Sequence, residues 1–413
     1  MNDGWIKIKN LNFYSVHVRA KTEWKFMEFI SDDGLSGISE ITDTQLQSPV
    51  SQIIAKLSNK LRDEKISSEE NLIELIPQEN LADTNLNYAT AISGIRSAFL
   101  DLYSKRLQIS LREYLAIKNR SLKEKKETIK LYANINRSML PDDNGPVDRS
   151  PDAFNDKAKE FEKKGFETIK CAPFDECNSP FNTKDIIPEE ARLGLERISA
   201  ISENLEKDTN LFVDCHSRFD LNSSYFLHDE LKDRNVKWFE EPVDPENNKE
   251  DMKKINSYST IPTAGAEMVY GANNFMGLIE EEVIDIVMPD VKFCGGPTEI
   301  INLDQRLEDS NKISMHCPSG PVSLLTSAQI TSSINSKLPL EHAVNEVDWR
   351  HKLLLPYEKI DGGKFDLPDG SGIGASINLE IINKRVNYGK NKFSYLAFFF
   401  FFLLHKKHIL IHQ

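Results

Sequence analysis

Between Phe212 and Glu341 short apolar runs alternate with longer polar stretches, and each run closes on a charged or imidazole residue. Leu211-Phe212-Val213 closes on Asp214, and Val236-Lys237-Trp238-Phe239 on Glu240. Ile261 to Ala266 closes on Glu267 and Ile284 to Pro289 on Asp290. Ile313-Ser314-Met315 closes on His316, and Leu338-Pro339-Leu340 on Glu341. The closing residues are 26, 27, 23, 26 and 25 positions apart. A strand of about five residues, a helix of ten to twelve and two short loops need roughly that length. The spacing predicts a repeated βα unit with one polar side chain at the carboxyl end of each strand. That is the pattern of a (β/α)8-type barrel and its active face, an α/β fold.

Upstream the pattern changes, and residues 1–127 read as a separate α+β unit. Strands are expected at Lys7 to Leu11, Val16 to Ala20, Trp24 to Ile30 and Leu35 to Glu40, the last two joined by a turn at Ser31-Asp32-Asp33-Gly34. Helices are expected at Ser48 to Asp63 and Tyr88 to Ser104, continuing through Leu111 to Leu115. Ile92, Ile95, Ala98, Phe99, Leu102 and Tyr103 fall on one face of the second. The barrel is expected over 128–365, with its first two strands at Thr128 to Asn136 and Phe166 to Lys170. Helices at Pro151 to Lys164 and Ala191 to Asn204 flank the second strand. Lys170 and Asp214 are 44 positions apart, longer than one unit. The excess, Asn178 to Glu190, is read as an insertion at the active face.

Residues 366–390 are expected to return to the first unit, and 391–413 form an atypical apolar tail. Phe398 to Phe402 are consecutive phenylalanines, which fit no amphipathic period. The run from Tyr395 to Leu404 falls short of the roughly 20 residues that span a bilayer. No part in catalysis is expected of it.

Charge and cysteine content narrow the class. Lys and Arg total 51 against 64 Asp and Glu, a formal charge of -13. That balance argues against nucleic acid or an anionic membrane as main partner. Five cysteines in so long a chain are no disulfide framework, and Met1 to Trp5 is no signal peptide. A cytoplasmic protein with reduced thiols is expected.

Asp214, Glu240 and Glu267 close three successive runs. Three carboxylates converging in a cleft repel one another, and burial makes ionisation costlier still. A divalent cation removes both problems, and all-oxygen ligation suits a hard ion, Mg²⁺ above all.

Val213-Asp214-Cys215-His216, Trp238-Phe239-Glu240-Glu241-Pro242, Ala264-Gly265-Ala266-Glu267, Pro289-Asp290-Val291-Lys292-Phe293-Cys294-Gly295-Gly296 and His316 occur in order. This ordered set resembles the enolase superfamily, in its mandelate racemase/muconate lactonizing enzyme-like branch. The resemblance implies a modified TIM barrel, with residues 1–127 as an N-terminal capping domain closing over its mouth. Phe13 to Thr22 and Asp33 to Glu40 are then lid candidates, where Arg19 and Lys21 could meet an anionic substrate or simply lie on the surface. Barrels of this family often assemble, so a homo-oligomer is expected from the resemblance.

The implied chemistry is removal of the proton α to a carboxylate, with Mg²⁺ on Asp214, Glu240 and Glu267 stabilising the enediolate. Imidazole is well matched in pKa to take that proton near pH 7. His316 is assigned as the base and Asp290 as the carboxylate that orients it. Glu341 closes the eighth strand and would hydrogen-bond the enediolate, with Glu346 as rival. Many relatives carry a Lys-x-Lys motif on the second strand. Here Lys170-Cys171-Ala172 keeps only the first lysine. Ala172 carries no proton, so a two-base racemase is disfavoured and Lys170 is assigned to offset carboxylate charge. His216 lies two residues after Asp214, on the same side of the strand. Some acid-sugar dehydratases of this family carry histidine there, as the acid that helps the β-hydroxyl leave; the plainer alternative is that His216 only packs against Asp214 or the metal shell. Arg218 could pair with Glu241 or touch substrate. The expectation is an acid-sugar dehydratase, a hydro-lyase, acting on an aldonate or aldarate. The alternative is a racemase, epimerase or cycloisomerase with a carboxylate substrate. A metal-dependent hydrolase on this barrel would need a His-x-His pair on the first strand, and Tyr132-Ala133-Asn134 offers none. A non-catalytic metal-binding protein would leave the Asp290–His316 pair without purpose.

Overall fold

A computed structural model describes residues 4–20, 22–42, 49–76, 85–178, 187, 189–309 and 311–386. Lys21, most of the 178–190 insertion and the 391–413 tail lie outside them.

The chain opens with an antiparallel sheet of β1 (Ile8–Arg19), β2 (Thr22–Ser31) and β3 (Ser36–Glu40). The two strands expected in β1 are one. The polar residues that split the apolar pattern are satisfied across the hairpin, where Asn12 Nδ2 (3.1 Å) and Tyr14 Oη (2.6 Å) both donate to Glu28. A polar interruption therefore does not break the ladder. Helices α1 (Val50–Ser58), α2 (Glu69–Leu75), α3 (Leu86–Leu107) and α4 (Leu111–Lys118) follow. Ser110 and Glu113 form a capping box that fixes the start of α4. The sheet lies directly on α3, because at Gly37 a Cβ would stand 2.1 Å from the Ala98 carbonyl oxygen.

The barrel strands are β4 (Thr128–Asn134), β5 (Thr168–Cys171), β6 (Asn210–Asp214), β7 (Val236–Glu240), β8 (Thr263–Gly265), β9 (Ile286–Val287) and β10 (Leu340–Ala343). Each pairs with the next in parallel as far as β9, and β10 pairs with β4. The gap between β9 and β10 is filled by Ile313 to His316, held by parallel bridges Val287↔Ile313 and Asp290↔His316. Eight positions thus close a (β/α)8-type barrel. Between them run α5 (Pro151–Lys163), α6 (Glu189–Ser202), α7 (Leu221–Leu231), α8 (Lys249–Tyr258), α9 (Ala272–Glu280), α10 (Pro297–Asp304) and α11 (Pro321–Ser332).

After β10 come the short strands β11 (Leu354–Leu355), β12 (Ile360–Asp361), β13 (Lys364–Asp366) and β14 (Ser376–Ile377). The last described helix, α12 (Leu379–Val386), lies beside β1.

Strand alternation turns Tyr132, Phe212 and Trp238 inward, two residues before Asn134, Asp214 and Glu240. They form a buried aromatic plug with Phe212 and Trp238 stacked at 3.9 Å and Tyr132 edge-on to both. The polar layer rests on this plug. The capping unit is tied to the barrel by buried polar contacts. Glu40, at the end of β3, accepts from the Gly320 and Ser323 amides at the start of α11 (2.8 and 3.0 Å). Arg96 of α3 joins Glu69 to Glu299 and Thr298.

Candidate active site

The strand ends place half of the expected catalytic and metal side chains on one cavity of about 470 Å³, which Thr22, Trp24 and Thr42 of the capping unit also line. The other half, Lys170, Glu240, Asp290 and Glu341, are buried outside its lining. Asp214, His216, Glu267 and His316 line it, with Asp175 and Lys292. A second cavity, of about 350 Å³ between α11 and residues 354–369, shares none of its lining.

His316 Nδ1 lies 2.9 Å from Asp290 Oδ2, and its Nε2 lies 2.7 Å from Glu267 Oε2 and 3.7 Å from Glu341 Oε2. Asp290 is held from the other side by the Lys292 amide (2.8 Å) and Nζ (2.9 Å). Burial works against a charged ring, but Glu267, Glu341 and Asp290 outweigh it and push His316 well above the ordinary imidazole value.

Lys170 is buried beneath the carboxylates, 5.9 Å from the centre of the Tyr132 ring. It pairs with Glu240, with Glu341 at 3.1 Å and with Asp214 at 3.3 Å. Three anions against one ammonium overcome burial and raise Lys170 well above the usual lysine value. Glu341 is fixed by Asn134 Nδ2 (2.7 Å) and the Cys317 amide (2.8 Å). Its rival Glu346 is buried, and neither carboxylate oxygen has a hydrogen-bond partner among the described residues. Of the two, Glu341 is the one beside His316.

Asp214 and Glu240 are register partners on β6 and β7, and Glu267 follows β8. Glu240 accepts from Trp238 Nε1 at 3.0 Å and faces Lys170, while Glu267 faces His316. Burial, then the Asp214 charge, lift Glu240 well above the usual carboxylate range despite Lys170. Neighbouring Glu241 is pushed up to about 8 by burial and by the charges of Glu267 and Asp214. Asp214 is held low, its burial outweighed by His216 and Lys170, and Glu267 is lowered to about 2 by His316 against its burial. Carboxylates are thus crowded beyond what their cations neutralise, and their oxygens suit a hard divalent ion. As the side chains stand, no three His, Cys, Asp or Glu among the described residues are gathered around one metal-holding point. The fit lies in donor chemistry and strand-end position.

His216 makes the Asp214 contact weighed from the sequence and a second, to Asp175, that the sequence did not suggest. Its Nε2 lies 3.0 Å from Asp214 Oδ2, and its Nδ1 lies 2.7 Å from Asp175 Oδ1. Burial opposes a charged ring, but Asp214 and Asp175 raise its pKa well above the usual value. His216 and Ser217 are both left-handed (φ 48° and 55°), a turn that swings the imidazole towards the loop after β5. Arg218 donates to the Cys177 carbonyl, and Glu241 instead accepts from Ser217 Oγ and the Ala266 amide. Arg19, placed as a possible substrate contact or a surface residue, donates to the carbonyls of Glu346 (2.7 Å), Leu140 (3.0 Å), Arg137 (3.2 Å) and Asn345 (3.4 Å). It pins the β1–β2 hairpin to the barrel loops. Asp175, Asn134 and Lys292 are further polar members of the site. Strand alternation could have found Asn134 two residues after Tyr132, and a same-side offset Lys292 two after Asp290. Asp175 had no such signal.

A barrel with a carboxylate layer and an aspartate-supported imidazole at its strand ends defines an enzyme of the α/β-barrel class. Residues 153–381 match the enolase C-terminal domain-like family, and the chain belongs to that family. It is 27% identical to a D-xylonate dehydratase of Haloferax volcanii over 74% of this chain and 71% of the relative. It is 23% identical to a D-gluconate/D-galactonate dehydratase of Picrophilus torridus over 89% and 90%. A D-galactarolactone cycloisomerase of Agrobacterium fabrum is 26% identical over 71% and 73%. Among solved structures, an enolase-superfamily member from Salmonella Typhimurium superposes with a TM-score of 0.78 at 19% identity. That match covers 92% of this chain and 98% of the other, and shows the shared fold. No described helix is long and apolar enough to cross a membrane.

Proposed function

We propose that the protein is a Mg²⁺-dependent dehydratase of an acid sugar, an aldonate or aldarate. The observation that carries this reading is the Asp290–His316 pair, set against Asp214, Glu240 and Glu267 with a second imidazole, His216, in the same cavity. The dehydratase relatives support it.

In this reading Glu267, engaged with the cation, would no longer hold the His316 ring charged, and His316 Nε2 removes the proton α to the substrate carboxylate while Asp290 fixes the ring through Nδ1. Lys170 and Glu341 assist where negative charge grows on the enediolate, the ammonium by offsetting it. Mg²⁺ on Asp214, Glu240 and Glu267 would supply a fixed positive charge for the carboxylate and enediolate oxygens. The enediolate electron pair then forms the Cα=Cβ bond as the β C–O bond breaks. The departing oxygen keeps that bond's pair and takes a proton from His216, leaving as water. The enol tautomerises to a 2-keto-3-deoxy acid.

The test is a panel of aldonic and aldaric acids with Mg²⁺ in D₂O, followed by proton NMR. A 2-keto-3-deoxy product establishes dehydration and names the substrate. Deuterium at the α-carbon without loss of water favours epimerisation or cycloisomerisation, for which His216 is a second acid–base group besides His316. Neither signal with any acid overturns both readings.

A further inference from the structure

Asp175 sits in the turn after β5, and that turn is anchored on every side. Phe174 is buried edge-on against Phe219 at 5.1 Å. Glu176 is held by Arg149 Nε (2.8 Å) and by Arg197 Nη1 and Nη2 (2.7 and 3.0 Å). Arg197 also donates to the Pro173 carbonyl at 2.7 Å, and Arg149 Nη2 lies 3.4 Å from Asp175 Oδ2. The remaining oxygen of Asp175 meets His216 Nδ1 at 2.7 Å.

The second lysine of the β5 motif is replaced by Ala172, so the β5 end of the cavity is furnished instead by Asp175 and, through it, by His216. An imidazole on a turn is free to rotate and present either nitrogen. A carboxylate on one nitrogen removes that freedom and fixes the tautomer. The His216 side chain is 34% exposed against 8% for His316, and two carboxylates hold it, Asp175 at Nδ1 (2.7 Å) and Asp214 at Nε2 (3.0 Å).

We propose that Asp175 is a positioning residue. It holds the His216 ring through Nδ1, so that Nε2, which rests 3.0 Å from Asp214 Oδ2, is turned to the cavity to give the proton that converts the departing β-hydroxyl to water. The inference rests on the dehydration reading above and adds to it the group that aims the acid.

The experiment uses the full-length protein with Mg²⁺ and an acid sugar that the wild type turns over. Two rates are followed in D₂O by proton NMR: loss of water, and exchange of the α-proton in recovered substrate. Asp175→Asn keeps the size of the side chain. Dehydration is expected to fall about 10²-fold or more, mainly in kcat, because the proton-donating group is misaligned. Exchange, which depends on His316, is expected to stay within a few-fold. The exchange-to-dehydration ratio therefore rises by about the factor lost in dehydration. His216→Gln, which keeps Asp175, should shift the ratio in the same direction, and Asp175→Glu should restore part of the rate. A purely structural role lowers both rates together. Proportional loss of both, or unchanged dehydration, overturns the assignment of Asp175 while leaving the dehydratase reading intact. A wild type that exchanges the α-proton but yields no keto acid overturns both.

Discussion

Two imidazole–carboxylate pairs face one cavity, and they are built by different means. Asp290–His316 grows out of the sheet: the two residues form a parallel bridge, Asp290 is fully buried, and Lys292 holds both its oxygens through its amide and Nζ. Asp175–His216 is assembled from two turns, one of them through consecutive left-handed residues, and its imidazole is partly open to solvent. The strand-end pair inherits its geometry from barrel register and is held with little freedom. The turn pair keeps its geometry only while local anchors hold. The difference matches the proposed labour. Removing a proton from carbon demands close alignment, which the sheet supplies, whereas the proton donor owes its alignment to the Asp175 tether.

The largest effect expected is at the rigid pair. His316→Asn leaves Asp175–His216 in place but removes the base. It should lower dehydration by about 10⁴-fold and abolish α-proton exchange with it. Retained exchange in this variant would move the base to another residue and dissolve the contrast between the pairs.

A smaller effect is expected where the pairs meet. His216 Nε2 ends on Asp214 and His316 Nε2 on Glu267, so both lean on the carboxylates proposed to bind Mg²⁺. Trp238 Nε1 donates to the third of these, Glu240, while its ring stacks on Phe212. Trp238→Phe keeps the aromatic plug and removes one hydrogen bond to a proposed ligand. Loss of such an outer contact typically weakens metal binding about 10–100-fold. Calorimetric Mg²⁺ titration, or Mn²⁺ binding by paramagnetic resonance, reads this directly. Exchange and dehydration should fall together at low Mg²⁺ and recover together at high Mg²⁺. Unchanged affinity would take Glu240 out of the metal set.

The same contrast explains what the sequence revealed. The barrel was legible because every unit from Asp214 to Glu341 closes on a polar residue at a near-constant interval, a direct image of strand-end position. The Asp290–His316 pair was legible for that reason, as neighbours in consecutive units. The β1–β2 hairpin was less so, since Asn12 and Tyr14 look like a break in the apolar pattern until their cross-strand partner Glu28 is seen. Asp175 was not legible at all. Its contact with His216, 41 positions away, depends on two left-handed residues and on an arginine clamp, none of which leaves a periodic trace. Side chains displayed by a regular element can be read from its period, and those brought together by turns cannot.

The smallest effect is at the clamp itself. Glu176 lies between Arg149 and Arg197, which overcome the cost of its burial and lower its pKa to about 2. An unfolded glutamate titrates at about 4.3. The folded state therefore binds fewer protons than the unfolded state between these values, and stability rises with pH there. The clamp's contribution is present above about pH 4.3 and is lost as pH falls towards 2. The Glu176 side chain is 36% exposed, so solvent screening keeps the contribution to about 1 kcal/mol or less. Glu176→Gln should lower the melting temperature by about 1 °C or less at pH 7, and the gap to wild type should close as pH falls from 5 to 3. Because the clamp holds the turn that carries Asp175, this variant should also raise the exchange-to-dehydration ratio by a few-fold at pH 7. A melting-temperature gap that stays constant down to pH 3 would show that charge is not what anchors the turn. The burial of Phe174 against Phe219 would then be the feature that keeps the second imidazole aimed.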